Sequence, residues 1–160
     1  MSYRLTVLQE LTDHLKQITP TNGYDFDLSQ SVFRGRTTFD DNDPIPMLSI
    51  LEAESDRPPI YTNGNNARYE DWGIVVQGWV EDDNDNPSDP AYLLAQAVED
   101  QLFRLNKLGR NGNPEFPTEY RLGGIISDIT IGPPRVVPSD AGMSTRTAFY
   151  LHLAIKLRKQ

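Results

Sequence analysis

The sequence predicts an α+β fold in which a mixed, mainly antiparallel sheet of four to five strands carries two helices, in the order α-β-β-β-α-β-β. Two apolar stripes with a spacing of three or four residues predict the helices, and segments with alternating apolar side chains predict the strands. The helical stripes consist of Leu5, Leu8, Leu11, Leu15 and Ile18, and of Leu94, Val98, Leu102 and Leu105. The simplest arrangement packs both helices on one face of the sheet.

The first helix and the strands after it are separated by turn-forming residues, and Pro20 with the following Asn-Gly pair ends the helix. Strands are then predicted over residues 31–36, 47–54 and 69–81. In the third of these, Trp72, Ile74, Val76 and Val80 fall on one face, while Val75 and Trp79 fall on the other. Apolar residues on both faces indicate a strand inside the sheet, or one that is covered at an assembly interface.

The second half of the chain contains the other helix and two more strands. A helix over residues 90–108 is predicted, with Asp89 as its N-cap, Pro90 at its first position and Gly109 as its stop. A strand over 125–131 is expected to end at the Pro133-Pro134 pair. The last strand places Thr147, Phe149, Leu151, Leu153, Ile155 and Leu157 on one face. Residues 1–160 are expected to form one domain.

Composition excludes several functions. The chain has 160 residues, no cysteine and a formal net charge of −8. Without cysteine, disulfides, thiolate zinc sites, iron–sulfur clusters and a cysteine nucleophile are excluded. An acidic protein gains nothing by contacting DNA phosphates, although DNA can slide past an acidic wall. No apolar stretch approaches the roughly 18 residues of a membrane span, and the start of the chain is charged, so we expect a soluble protein made in the cytoplasm.

We find no pattern that specifies an enzyme, a metal site or a cofactor. The two histidines, His14 and His152, are expected to be ordinary surface or interface residues, with His14 solvated on the first helix. Residues 82–86 fit the first ligands of an EF-hand calcium loop, but Pro87 and Leu93 stand where that loop needs glycine and glutamate. We therefore expect no catalytic residues, no metal ligands and no cofactor.

Several features follow one another in a specific order. They are a leucine-rich helix over 5–15, Asn22-Gly23-Tyr24, strands over 32–36 and 46–50, a tryptophan-bearing strand over 72–80, an acidic turn into the 90–108 helix, and an amphipathic closing strand. In this order the chain resembles, over essentially its whole length, the tail terminator (tail completion) proteins of tailed bacteriophages. The most specific local motif is Gly-Tyr followed by the Val-Phe-Arg-Gly-Arg strand.

The resemblance implies a virion protein of the tail or neck that is assembled in the host cytoplasm. Proteins of this family have a mixed sheet with two helices and no catalytic motif, and they form six-membered rings on the last ring of the tail tube. Such a ring ends tube polymerisation and offers a surface to the head. The implied partners are other copies of the chain, the tube protein and the head–tail connector proteins, with the sheath as a further candidate. DNA would pass through the lumen without specific binding.

For such a ring we predict contacts with neighbouring subunits or with the tube at arginine and aromatic side chains. The candidates are Arg34, Arg36, Tyr61, Tyr69, Trp72, Trp79 and Arg146, with Tyr24 and Phe26 as further loop aromatics. Each protomer of a ring needs two different side patches. The segment 56–68 reads as a loop that is long for a compact domain, and we expect it to order against the tube. Excess acidic side chains are expected to line the channel and repel DNA.

Two other functions fit the same sequence. A head-closure or connector protein of the neck would also be small, acidic and ring-forming, but only a terminator would stop tube growth at a set length. A monomeric binding module or small hydrolase would instead use an acidic pocket. A protein that stays monomeric at every concentration and on tube ends would exclude the ring.

Overall fold

The computed structural model describes residues 2–39, 42–53, 70–139 and 145–157. Within these ranges the helices and strands follow the predicted order, with a 3-10 turn at Pro20–Asn22 and one short helical turn added. The helices are α1 (Tyr3–Leu15), α2 (Asp89–Phe103) and the short α3 (Arg121–Gly124). The strands are β1 (Val32–Arg34), β2 (Met47–Glu52), β3 (Glu70–Glu81), β4 (Ile126–Val137) and β5 (Arg146–Leu157).

The five strands of the described chain form one sheet in the spatial order β1-β2-β3-β5-β4. β1 and β2 pair in parallel, and every other neighbouring pair is antiparallel. β3 and β5 pair along all twelve residues of each strand and form the centre of the sheet. This arrangement confirms the predicted α+β class with its mixed, mainly antiparallel sheet.

Both long helices pack on the same face of the sheet. α2 crosses β3, β5 and β4, while α1 lies against β1 and the side of α2. The predicted apolar stripe of α2 is completely buried. On β5, the predicted alternation places every second residue from Thr147 to Leu157 in the core, and the same alternation holds for the helix-facing residues of β3. The core therefore lies on one side of the sheet.

A glycine in β3 leaves the space that Phe149 fills. Gly78 and Phe149 are paired across β3 and β5 on the helix-covered face. A Cβ atom at Gly78 would lie 2.2 Å from Cε1 of the Phe149 ring and 2.7 Å from Cζ. Carbon atoms in ordinary contact lie about 3.5–4.0 Å apart. Because the ring is fully buried in a close-packed core, it has little space to move into.

The prediction that the fourth strand ends before its two prolines is wrong. β4 continues through Pro133 and Pro134 to Val137. A register shift separates the pairing of Ile131 from that of Pro134, and β4 has a neighbour on one side only. Proline is tolerated at such edges and irregularities because its missing N–H need not complete a ladder on both sides.

The predicted end and buried stripe of α1 need correction. α1 ends at Leu15, well before Pro20. Leu5 is 46 % exposed, whereas Val7 is completely buried. The helix is therefore rotated from the orientation that the leucine spacing indicated, because its position is set by packing against α2 and β1 rather than by its own most apolar stripe.

The predicted ends of α2 also differ from the structure. Asp89 is the first helical residue and Ser88 occupies the N-cap position, without a capping hydrogen bond from its side chain. The helix ends at Phe103, not at Gly109. Leu105 is nevertheless completely buried, because the turn after the helix carries it into the core. The apolar stripe thus continues beyond the helix that carries most of it.

Part of the predicted contact surface cannot be placed. Residues 56–68, with Tyr61, and also Tyr69 lie outside the described residues. The loop aromatics Tyr24 and Phe26 are partly buried and pack against the core, so they cover its edge. Among the described helices, none is long and apolar enough to cross a membrane.

Candidate functional site

The face of the sheet opposite the helices is the candidate functional surface, and we call it the open face. Its side chains come from the alternate positions of each strand that point away from the core. In the central strands they are Met47, Ser49 and Leu51 on β2, Val75, Gln77 and Trp79 on β3, and Ala148, Tyr150, His152 and Ala154 on β5. Both long helices lie on the other face, so they do not cover these residues.

One end of the open face is covered by Phe39, which lies between β1 and β2 in the chain. Trp79 is only 4 % exposed although it points away from the helices. The Phe39 ring meets the Trp79 ring edge-on, with centroids 5.8 Å apart and an interplanar angle of 64°. The Arg146 guanidinium lies 4.8 Å from the centroid of the Phe39 ring, and its Nε is 3.2 Å from Oε1 of Glu81. Arg146 is thus held between an aromatic ring and a carboxylate.

Arg36 is held in the same way at the neighbouring strand. Its guanidinium lies 3.7 Å from the centroid of the Phe33 ring, and its Nη1 donates to Oδ1 of Asp43 at 2.7 Å. Its backbone N–H donates to Oγ of Ser49 at 2.9 Å. The Arg36 side chain is still 42 % exposed. We call Phe33, Arg36, Phe39, Trp79 and Arg146 the arginine–aromatic cluster. Stacking and ion pairing fix the orientation of its two guanidinium groups.

Beyond this cluster the open face is more accessible. Leu51, Val75 and Tyr150 are partly exposed, and His152 and Ala154 are exposed. The Tyr150 hydroxyl accepts a hydrogen bond from Nε2 of a buried glutamine on β3, at 3.0 Å. The open face therefore combines an end that carries aromatic rings and ion-paired arginines with an apolar strip that reaches solvent.

The structure separates the predicted contact residues into two groups. Arg36, Trp79 and Arg146 all lie on the open face, where Arg36 stacks on Phe33 while Trp79 and Arg146 pack against Phe39. Arg34 and Trp72 instead face the helices. The first donates from Nη1 to Oγ1 of Thr12 on α1 at 2.9 Å. The second is 6 % exposed and donates from its indole N–H to a carboxylate oxygen of β2 at 2.8 Å.

A buried polar cluster, which the sequence did not reveal, joins α1, α2 and the segment 104–124. His14 was expected to be solvated, but it is only 7 % exposed. Its Nε2 lies 2.6 Å from the carbonyl oxygen of Gln101, and its Nδ1 lies 3.8 Å from Oε1 of Glu119. Gln101 donates from Nε2 to the His14 carbonyl at 2.9 Å, and the Tyr24 hydroxyl donates to Oε1 of Gln101 at 2.7 Å. No spacing pattern could indicate these contacts, because they join residues far apart along the chain.

The electrostatics of this cluster follow from its burial. Burial lowers the pKa of His14 below its ordinary value, while the hydrogen bond with Gln101 and the charge of Glu119 act in the opposite direction. Arg104 binds Glu119 through Nε and Nη2, at 3.0 and 2.6 Å from Oε2, and its guanidinium stacks on Phe116 at 3.6 Å. The hydrogen bond to Glu119 raises the pKa of Arg104. The cluster therefore links both helices to the segment that follows α2.

Two surface cavities flank the buried polar cluster. One, of about 500 Å³, is lined by Phe103, Arg104 and Lys107 among others. Both of its cations are already paired, Arg104 with Glu119 at 2.6 Å and Lys107 with Glu115 at 3.2 Å. The other cavity, of about 410 Å³, has acidic side chains along part of its lining.

The acidic turn before α2 has a structural explanation. Oδ2 of Asp83 accepts hydrogen bonds from the backbone N–H groups of Asp85 and Asn86, at 3.0 and 2.8 Å. This arrangement is an ordinary side-chain-stabilised turn. Across the described residues, no group of three histidine, aspartate or glutamate side chains is placed to hold a metal ion.

No protein-family model matches this sequence, and no curated protein matches it either. A function is therefore inferred from the geometry of the open face, together with the order of elements along the chain.

Proposed function

We propose that this protein is a virion assembly protein of the tail or neck that forms a ring, with six copies as the resemblance implies, on the head-proximal end of a phage tail tube. The ring ends polymerisation of the tube and joins the tail to the head connector. One observation carries the proposal: the open face presents apolar side chains and oriented arginines on the side of the sheet opposite a complete core.

The open face has the composition of a protein–protein contact. A sheet with one face in water usually alternates apolar residues towards the core with polar residues towards solvent. The open face departs from that alternation, because apolar or aromatic residues stand where polar ones are usual and are only partly buried there. They are Leu51, Val75, Ala148 and Tyr150. Aromatic residues and arginine are also enriched in interfaces and among the residues that dominate binding energy. Covering this face with another protein surface would remove apolar area from water and would therefore be favourable.

The arginine–aromatic cluster supports the same proposal. Arg36 and Arg146 are each held by an aromatic ring and a carboxylate. A guanidinium that is already oriented loses less conformational entropy when a partner binds it. Arg36 is the more exposed of the two, with 42 % of its side chain accessible against 14 % for Arg146. It is therefore our first candidate for a contact with a neighbouring subunit or the tube.

The charge of the chain fits a channel through which DNA moves. The net charge of −8 gives the surface no general attraction for phosphates. In our proposal DNA passes through the lumen of the ring without specific binding.

In our proposal the ring works without catalysis and without a cofactor. The buried polar cluster is the set of side chains that most resembles an active site, and its members already bind one another within the fold. His14 contacts the Gln101 carbonyl and faces Glu119, while Glu119 is bound by Arg104. The His14 contacts join α1 to α2 and to the segment after α2, and the Arg104–Glu119 pair connects two points within that segment.

The decisive experiment is a tube-length assay. Tube protein encoded by the same phage genome is polymerised with increasing amounts of the purified chain, and tube lengths and tube ends are examined by electron microscopy. We expect shorter tubes with a ring at one end. Arg36→Ala should require about tenfold more protein for the same shortening, whereas Arg110→Ala, in an exposed loop outside the sheet, should act like the wild type.

Two results would reject the proposal. A chain that binds connector proteins but leaves tube length unchanged would be a head-closure protein. A chain that remains monomeric on tube ends, at every concentration, would be the binding module or hydrolase considered above.

A further inference from the structure

The smaller of the two surface cavities, of about 410 Å³, lies between α1 and the segment 118–123, and we call it the α1 cavity. Its lining includes the exposed side chains of Glu10 and Asp13 and the buried side chain of His14, all on α1. Glu119 lines it from the other segment. The volume lies within the range of about 300–1,000 Å³ that is usual for ligand sites. None of the lining residues belongs to the open face.

One nitrogen of His14 is an unused hydrogen-bond acceptor. Only 5 % of the His14 side chain is exposed, and its Nε2 lies 2.6 Å from the carbonyl oxygen of Gln101. Because a carbonyl oxygen can only accept, Nε2 carries the ring proton. Burial lowers the pKa of His14, so the ring is neutral near pH 7 and its Nδ1 has a lone pair. Within the described parts of the chain, no group donates a hydrogen bond to this lone pair.

Glu119 faces the Nδ1 lone pair and cannot satisfy it. Its Oε1 lies 3.8 Å from Nδ1, beyond hydrogen-bond distance, and a carboxylate oxygen is itself an acceptor. Arg104 makes its shortest bond, of 2.6 Å, to Oε2 of Glu119 and a longer one, of 3.1 Å, to Oε1. Oε1 therefore keeps a further acceptor direction. A group with two N–H donors can lie within about 2.7–3.2 Å of both acceptors at once.

The α1 cavity also carries negative charge that no cation of its lining compensates. Neither Glu10 nor Asp13 forms an ion pair with any residue that the structure describes. Asp13 lies in the last turn of α1, where the helix dipole favours cations. Arg104, which binds Glu119, is not part of the lining. A positively charged donor is therefore favoured here over a neutral one.

We propose that the α1 cavity binds an organic cation with at least two N–H donors, which is a guanidinium or a primary ammonium group. The cation donates to Nδ1 of His14 and to Oε1 of Glu119, while Glu10 and Asp13 supply the opposite charge. A metal ion does not fit the site, because no three histidine, aspartate or glutamate side chains of the described chain are placed to hold one. The inference does not depend on the proposed function, since it uses no residue of the open face.

The chain has only two histidines, so the site can be observed directly. Protein labelled with ¹⁵N in its histidine rings is titrated with methylguanidinium chloride, and both nitrogens of each ring are followed by NMR. We expect the proton of His14 on Nε2 in the free protein. Methylguanidinium should shift the Nδ1 signal of His14 saturably, with a Kd on the order of 1 mM for so small a ligand. His152, which is exposed on the open face, should not respond.

Methylurea is the matched control ligand, because it resembles methylguanidinium in shape and carries no charge. We expect it to bind about tenfold more weakly or less. Glu10→Gln and Asp13→Asn should each weaken methylguanidinium binding about two- to fivefold, as expected for exposed charges. Asp85→Asn, in the exposed turn before α2, should bind like the wild type. Thermal unfolding checks that each variant is folded.

The tube-length assay distinguishes the two sources of such a cation. If an arginine or lysine side chain of the tube or of a neighbouring subunit occupies the α1 cavity, methylguanidinium at its Kd should about double the amount of chain needed for a given shortening. Asp13→Asn should then also shorten tubes less effectively than the wild type. If a free small molecule is the ligand, neither change should affect tube length. Both results agree with the inference, which the titration alone decides.

Three results of the titration would overturn the inference. The first is the absence of a saturable change at Nδ1 of His14 in the millimolar range. The second is an equal response to methylurea, which would mean that the gap accepts any N–H donor, water included. The third is an unchanged affinity in both Glu10→Gln and Asp13→Asn, which would remove the electrostatic reason for a cation. None of them would affect the proposed function.

Discussion

The contact between Gly78 and Phe149 gives the sharpest quantitative prediction. In Gly78→Ala, the new methyl carbon would lie 2.2 Å from Cε1 of the Phe149 ring, and 2.7 and 2.9 Å from two further ring carbons. The ring or the strand would have to move by about 1 Å or more to restore ordinary contact. Overpacking of this kind costs about 1–3 kcal/mol, and replacing a glycine in a strand returns about 0.5–1 kcal/mol.

We therefore expect Gly78→Ala to lower the free energy of unfolding by about 1–2 kcal/mol, and the Tm by about 2–8 °C for a chain of this length. The measurement is thermal and denaturant unfolding followed by circular dichroism. Gly109→Ala is the matched control, because its nearest atoms would lie at ordinary distances of 3.5 and 3.6 Å. It should leave stability unchanged or slightly increased.

A double-mutant cycle tests the stated cause. Phe149→Leu alone should destabilise the protein by removing buried volume. In the Gly78→Ala background, the smaller side chain should relieve the clash, so that the double variant loses less than the sum of the two single losses. Strict additivity, or a Gly78→Ala protein as stable as the Gly109→Ala control, would refute the reasoning.

Three further predictions concern the polar and aromatic contacts. Because burial lowers the pKa of His14 in the folded state, the unfolded chain takes up a proton first as pH falls below about 6.5. The free energy of unfolding should therefore decrease from pH 7 to pH 5, with a smaller decrease in His14→Gln, and equal slopes would contradict the assignment. Glu119→Gln removes the charge that Arg104 binds and should cost about 1 kcal/mol in denaturant unfolding at low salt, with a smaller loss at high salt, since the pair is partly exposed. Phe39→Ala should expose Trp79 and increase acrylamide quenching of tryptophan fluorescence. Unchanged quenching would mean that the ring does not shield it.

The candidate site was only partly predictable. The two-faced character of β3 follows from its alternation, and so does the separation of Trp72 from Trp79. The cover that Phe39 provides for Trp79 does not follow, because a loop residue has no periodicity that indicates its partner. The sequence likewise suggested Arg34 and Arg36 as similar candidates, but β1 ends at Arg34. The Arg34 side chain contacts α1, whereas the backbone N–H of Arg36 donates to Ser49 on the open face.

The amino-acid sequence by itself determined which side chains share a face of the elements whose periodicity is unbroken, such as β5 and α2. Periods of two and of 3.6 residues are local properties of strands and helices, so the buried sets of β5 and α2 could be derived without knowing their neighbours. The tertiary structure alone decided which strands lie at the edge, where Pro133 and Pro134 are tolerated in β4. It alone decided that His14 is buried against Gln101. These features depend on contacts between residues distant in sequence, and local periodicity does not indicate which distant surface a residue contacts.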